Sequence, residues 1–165
     1  MCTSTNALPR LRYLADHPPM HSITISPAAD VDPSTLATIR VEAMRPSLEA
    51  VGRFDPERAR SRFLATYDPR DTQLVHADDD LAGFYVIRSR SDHLYLDHVY
   101  IRPKHQGAGL GRSIVRSVQE RAREMGLPLG LTALRGSPAN AFYLSCGFVL
   151  EGSEELDNYY AWTAA

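Results

Sequence analysis

Apolar residues recur along this chain with two different periods, and the changes of period divide it into elements. Ile23 and Ile25 alternate with polar neighbours ahead of Pro27 and predict an opening strand. Two helices follow. The first starts at the cap-and-proline signal Asp32-Pro33-Ser34 and runs toward Met44, with Leu36, Ile39 and Ala43 on one face. The second begins after Asp55-Pro56 and carries Ala59, Phe63 and Leu64, while Pro46 and Gly52 interrupt the pattern between the two.

From Thr72 to Ile101 the period falls to two, in the runs Leu74-Val75, Leu81 to Ile87 and Leu94 to Ile101. The clusters Asp78-Asp79-Asp80 and Ser89 to Asp92 separate these runs, which predicts a three-stranded antiparallel meander. Helical spacing returns in Leu110, Ile114, Val118, Ala122 and Met125, with Gly126 as the C-terminal stop and Pro128 barring continuation. A strand over Leu129 to Leu134, a short helix over Ala139 to Cys146, and closing strands at Phe148 to Leu150 and Tyr159 to Thr163 complete the reading.

With 165 residues, 44% hydrophobic and 23% charged, the chain suits one domain around one core. Its net charge of −2 lacks the basic excess of nucleic-acid binders, so no nucleic-acid partner is expected. Cys2 and Cys146 are too far apart in sequence to suggest a disulfide framework or a metal cluster, which fits reduced thiols in a cytoplasm and no metal. Arg10, Arg12 and Asp16 break up the apolar residues of the first twenty positions, against a membrane span or a secretory signal. Residues 1–20 are read as a disordered extension, and the domain as residues 21–165.

The chemistry begins at Gln106-Gly107-Ala108-Gly109-Leu110-Gly111, between a strand and the longest amphipathic helix. Amides at a helix N-terminus lack internal partners and feel the positive end of the helix dipole, so a glycine-rich approach to one suits an anion. The amides from Gln106 to Arg112 are therefore candidates to enclose a pyrophosphate. The dinucleotide fingerprint fails, because Arg112 stands where its third glycine belongs and the turn follows an antiparallel meander. A Walker A loop fails as well, since Arg112-Ser113 offers no Lys.

This turn resembles the Gln/Arg-x-x-Gly-x-Gly/Ala motif of the GNAT superfamily of acyl-CoA-dependent N-acetyltransferases, and it matches in full. A second element, a short helix with an aromatic-Tyr pair followed by Gly-Phe, is present from Ala139 to Phe148. The likeness is clearest from Leu94 to Phe148, looser from His21 to Ser89, and does not reach the first twenty residues. It implies an α+β fold: a mixed, largely antiparallel twisted sheet of six to seven strands flanked by about four helices. It also implies acetyl-CoA as donor, an amine as acceptor and, as an assembly common in the superfamily, a homodimer.

Carried over position by position, the resemblance makes Tyr143 the general acid for the departing thiolate. It gives the backbone of Val99, Tyr100 and Ile101 to the pantetheine arm and the thioester carbonyl. Where many members carry Asn this chain has Ser137, with Asn140 three residues on, and either is a candidate for that polar contact to CoA. Asp97 is the candidate base, two positions before Val99 and so expected on the same strand face. Its reference pKa of about 3.9 suits orienting the amine or working through a water better than deprotonating it directly. His98 has the better pKa but should point to the other face unless a bulge re-aims it. The acceptor is expected between the first two helices, near Met44, Arg45, Glu49 and Phe54. A small-molecule primary amine is the leading acceptor; a protein terminus or lysine, a longer acyl group, and a non-catalytic acyl-CoA-binding module remain as alternatives.

Overall fold

The computed structural model describes residues 22–165, so the reading of residues 1–20, and of His21 as the start of the domain, lies outside the described residues. A seven-stranded sheet runs in the order β1-β2-β3-β4-β5-β7-β6. Its strands are β1 Ile23–Pro27, β2 Thr72–Ala77, β3 Asp80–Ser89, β4 Leu94–Ile101, β5 Leu129–Leu134, β6 Val149–Ser153 and β7 Asp157–Trp162. All neighbours are antiparallel except β4 and β5. Four α-helices flank the sheet: α1 Pro33–Ala50, α2 Pro56–Thr66, α3 Leu110–Met125 and α4 Ala139–Ser145. This is the α+β architecture that the resemblance implied.

The alternating strands give the sheet two apolar faces, and each is covered. Leu110, Ile114, Val115 and Val118 of α3 bury themselves against Tyr85, Ile87, Leu94 and Leu131. On the opposite face Leu36 and Ile39 of α1 and Phe63 of α2 pack on Leu74, Phe84 and Val86. Each fully buried aliphatic or aromatic side chain contributes roughly 1.5–3 kcal/mol over its exposed state, so both layers stabilise the sheet between them.

Asp32 caps α1 through the amide of Ser34, and Asp55 caps α2 through that of Arg58, as the cap-and-proline signals predicted. Pro46 does not end α1, which continues to Ala50. Pro46 lacks the amide that would bond the carbonyl four residues back, yet it is exposed and the helix carries on past it. In β1 the alternation proved to mark an edge rather than a half-buried strand, since Ile23 and Ile25 are both exposed.

Two irregularities in β4 position everything that follows. Its pairing with β5 covers only Leu94 to Leu96 opposite Leu129 to Leu131, after which the two strands diverge. At the fork, the Tyr95 and Thr132 hydroxyls hydrogen-bond at 2.6 Å. On its other edge, β4 carries a bulge: His98 pairs with Val86 but Leu96 with Ile87, leaving Asp97 as the extra residue.

Gly83 sits opposite Ile101 on β3, and a Cβ there would overlap the carbonyl oxygen of Tyr100 and crowd Ile101. Gly83→Ala is expected to push β4 aside and cost about 1–3 kcal/mol, as overpacking does. Chemical denaturation would check this, and an unchanged midpoint would contradict it.

Candidate active site

Beyond the fork, β4 presents a free backbone edge to the space between it and β5. That space is part of a cleft of about 760 Å³. It is lined from both faces of the sheet: Ala43, Met44, Pro46 and Ser47 of α1 on one side, and Leu110, Gly111, Arg112, Phe142 and Tyr143 of α3 and α4 on the other. The cleft therefore passes through the sheet. Asp97, His98, Val99, Tyr100 and Ile101 border it along β4, and Thr132, Ala133 and Leu134 along β5.

The glycine turn forms one wall. Gly107 and Gly109 have φ of 82° and 81°, left-handed conformations that side chains resist, and at neither would a Cβ meet any atom within 4 Å. The first helical bond of α3 runs from the Ser113 amide to the Gly109 carbonyl, so the amides of Leu110, Gly111 and Arg112 have no intrahelical acceptor. The open space at Gly107 and Gly109, just ahead of these amides, is what a phosphate needs. The Gln106 amide, by contrast, donates to the Pro103 carbonyl, and its side chain donates to the Ile101 carbonyl at 2.9 Å. Gln106 thus fastens the turn to the end of β4, while Ala108 stands outside the lining. Arg112 lies against α4, donating to Ser145 Oγ at 2.9 Å with its guanidinium over the Phe142 ring.

Tyr143 is 9% exposed and packs with its ring against Phe148 and Phe142. Burial raises its pKa well above 10, with smaller contributions from Tyr100 and Cys146. Its phenol therefore keeps its proton at any ordinary pH.

Asp97 lies elsewhere than its spacing suggested. The bulge breaks the period of two, so Val99 and Ile101 pack toward α3 while His98 and Tyr100 turn to the α1 and α2 face. The expectation that Asp97 shares a face with Val99 is corrected accordingly. Its carboxylate bonds Arg88 Nε at 3.1 Å and lies 3.6 Å from His98 Nε2.

His98 is placed by the same bulge. Its Nδ1 is 3.0 Å from the Tyr100 hydroxyl, which accepts from Arg40 Nε at 3.3 Å. Arginine only donates, so Tyr100 passes its own proton toward Nδ1, which leaves the imidazole proton on Nε2 facing Asp97. Burial pushes the His98 pKa down to about 4, with Arg40 and Arg88 adding to the effect and Asp97 opposing it. Above this value His98 is neutral.

Asn140 is the second correction. Its amide nitrogen donates to the Leu134 and Ser137 carbonyls, and its oxygen accepts from Asn158 and Tyr160, which uses its full hydrogen-bonding capacity inside the fold. Ser137, not Asn140, lines the cleft. Of the acceptor candidates, only Met44 does so. Arg45 and Glu49 pair with each other at 2.8 Å on the exposed side of α1, and Arg45 stacks on Phe54. Sequence reasoning missed Arg40 and Arg88. The available signal was a charged residue on the inward parity of an apolar strand, since Arg88 follows Val86 by two.

Among the described residues no group of three or more His, Cys, Asp or Glu side chains could hold a metal ion, and no helix is long and apolar enough to cross a membrane.

Comparison with known proteins agrees with this geometry. A family model described as the acetyltransferase (GNAT) family matches residues 37–148, which takes in both helical layers, the glycine turn and Tyr143. The chain belongs to that family. Streptothricin acetyltransferase from Streptomyces lavendulae is 34% identical over 90 residues, 52% of this chain and 47% of that protein. The chain spans about half the length of this curated relative. The crystal structure of the PaiA N-acetyltransferase from Thermoplasma acidophilum in complex with coenzyme A superposes with a TM-score of 0.73 at 18% identity, over 87% of this chain and 99% of that one. A putative streptothricin acetyltransferase from Bacillus anthracis, in complex with acetyl coenzyme A, gives 0.52 at 19% identity, over 57% of this chain and 63% of its own. These structural likenesses establish the shared GNAT fold.

The His98 shift has a measurable sign. Its ordinary value of 6.5 falls to about 4 in the folded protein, so the unfolded chain takes up the proton first as pH drops. Stability held above pH 6.5 is lost as pH falls toward 4. Between about pH 7 and about pH 5 the loss attributable to His98 is up to about 2 kcal/mol. Urea unfolding at both pH values should show a smaller drop for His98→Gln than for the wild type, and parallel drops would contradict the assignment.

Proposed function

We propose that this chain transfers the acetyl group of acetyl-CoA to a primary amine of a small molecule by direct attack. One observation carries the reading: the unpartnered amides of the glycine turn, the free edge of β4 and the phenol of Tyr143 open into a single cleft. The fit to the donor rests on that geometry. The amides of Leu110, Gly111 and Arg112, with the open space over Gly107 and Gly109, suit the pyrophosphate. The backbone of Val99, Tyr100 and Ile101 suits an extended arm carrying its own amides, an added strand in place of the lost β5 partner. When bound, acetyl-CoA supplies an electrophilic thioester carbon.

The remaining work belongs to the chain. The Val99 amide, on the gap side of β4, polarises the carbonyl, the Tyr100 amide lying on the side that pairs with β3. Tyr143, kept protonated by burial, delivers its proton from its phenolic oxygen to the leaving sulfur. Asp97, ion-paired with Arg88, orients the amine rather than deprotonating it, and a water takes the amine's proton. Ser137 takes the polar contact to the donor that Asn140 cannot. The acceptor enters from the α1 side, over Ala43, Met44 and Ser47. The likeness to streptothricin acetyltransferase supports a small-molecule acceptor, and the widely spaced cysteines support a cytoplasmic setting.

Tyr143→Phe is expected to lower kcat by roughly 10²–10⁴-fold while leaving CoA affinity unchanged by calorimetry. Because the Tyr143 pKa is raised, the wild-type rate should show no loss from this proton up to about pH 10. Gly109→Val should abolish CoA binding, cost about 1–3 kcal/mol through its left-handed φ, and keep a folded circular dichroism spectrum. Full turnover by the Phe variant would remove Tyr143 from the mechanism, and unchanged CoA affinity in the Val variant would remove the glycine turn.

A further inference from the structure

The bulge in β4 determines which backbone groups face the gap, yet a bulge is a movable feature. Sliding it along the strand by one residue would exchange the face of the residue it passes, carrying His98 toward α3 in one direction or returning Asp97 to the phase its spacing suggested in the other. Something must fix the extra residue at position 97. The apolar packing does so only in part, because Val99 and Ile101 are partly rather than fully buried against their core.

Arg88 is built for that task. It pairs with Tyr95 across β3 and β4, beside the bulge. Its side chain is 13% exposed and takes no part in lining the cleft. All three guanidinium nitrogens are engaged, each with a different segment of the chain. Nε donates to Asp97 Oδ2 at 3.1 Å, Nη1 to Asp71 Oδ2 at 3.1 Å, and Nη2 to the Thr66 carbonyl at 2.8 Å. Asp71 ends the 3-10 turn Pro69–Asp71, and Thr66 is the last residue of α2, whose terminal carbonyls lack helical donors. The planar fork thus ties the bulged residue to two elements outside the sheet's own hydrogen-bond ladder. A surface ion pair would be worth little, but a guanidinium this enclosed, with every nitrogen satisfied, has one geometry open to it.

We propose that Arg88 is a positioning residue for the transfer, clamping the Asp97 bulge so that the β4 amides beyond it keep their aim into the gap. This rests on the acetyltransferase reading above. Arg88 touches neither substrate. It acts through Asp97 and the strand, so its loss displaces the groups at Val99 and Tyr100 without touching the amides at the start of α3. The two halves of the site should then respond differently.

The test uses the full chain, acetyl-CoA and an amine that the wild type acetylates. In Arg88→Met, kcat should fall by on the order of a hundredfold, the usual cost of a misplacement of about 1 Å, while CoA affinity by calorimetry, still held by the amides of α3 but weakened along β4, falls by no more than about tenfold. Arg88→Lys, which keeps the charge but reaches fewer partners, should recover part of kcat. Asp71→Asn loosens the fork from a residue outside the cleft, and should lower kcat in the same direction. Combined with Arg88→Met it should add nothing further. If Arg88→Met does not fold, the Lys and Asn variants carry the same comparison. Equal loss of kcat and CoA affinity in step with a lowered melting temperature would mean a general structural role and overturn the proposal. So would a kcat within about twofold of wild type in all three single variants. Failure of the wild type to bind CoA would instead defeat the assignment of the cleft itself, and the clamp with it.

Discussion

Between Leu96 and Ile101 a strand in the middle of a sheet has a neighbour on one side only, and the protein's candidate chemistry follows from that missing ladder. Half of the polar backbone groups on this stretch bond to β3; the other half face a space where β5 has turned away. Exposed edges normally lie at the rim of a sheet, where water satisfies them or charged side chains protect them. Placed centrally, such an edge is enclosed by helices on both faces and reachable only through the cleft. On the proposed reading it suits an extended partner with amides of its own, which would pair the half-buried groups of Val99 and Ile101.

The same enclosure governs the titrating groups. Tyr143 on one side of the gap and His98 on the other are both held neutral by burial, one with its proton retained, the other with its second proton refused. The cations close to the gap are bound up: Arg88 with two carboxylates and a carbonyl, Arg40 with the Tyr100 hydroxyl and the Ala59 carbonyl. A site so arranged offers fixed dipoles rather than mobile charge. On the proposed reading that suits a transfer between neutral reactants, in which charge develops only transiently on the carbonyl oxygen and the sulfur and meets preoriented donors there.

Much of this was legible in the residues. Cap signals placed α1 and α2, the period of two placed the meander, and the glycine turn placed the start of the amphipathic helix α3. What could not be read has a common physical origin. A period-two argument assumes that the ladder continues, and one inserted residue at Asp97 inverts every orientation beyond it. Asn140 and the Arg45–Glu49 pair show the second limit: composition tells what a side chain can bond, but only the fold tells what it has already bonded. Pro46 shows a third, since a proline costs a helix one hydrogen bond without having to end it, and α1 runs on to Ala50.

A cleft that passes through the sheet also bears on the order of events. With the glycine turn and Tyr143 on the α3 and α4 side, and the α1 wall on the other, the proposed reading has donor and acceptor approach from opposite faces and meet at the β4 edge. A covalent relay would need a nucleophilic side chain standing between them. Cys146, the thiol among the described residues, lies behind α4, with Arg112 Nη1 at 3.8 Å from its sulfur, and does not border the cleft. Ser137 borders it from the loop before α4 but, among the described contacts, has only the amide of Asn140 at its oxygen, with no base to activate it. On that reading the opening in the sheet is what makes direct transfer the economical mechanism: two substrates share one gap, and the protein need only hold its walls and its donors in place.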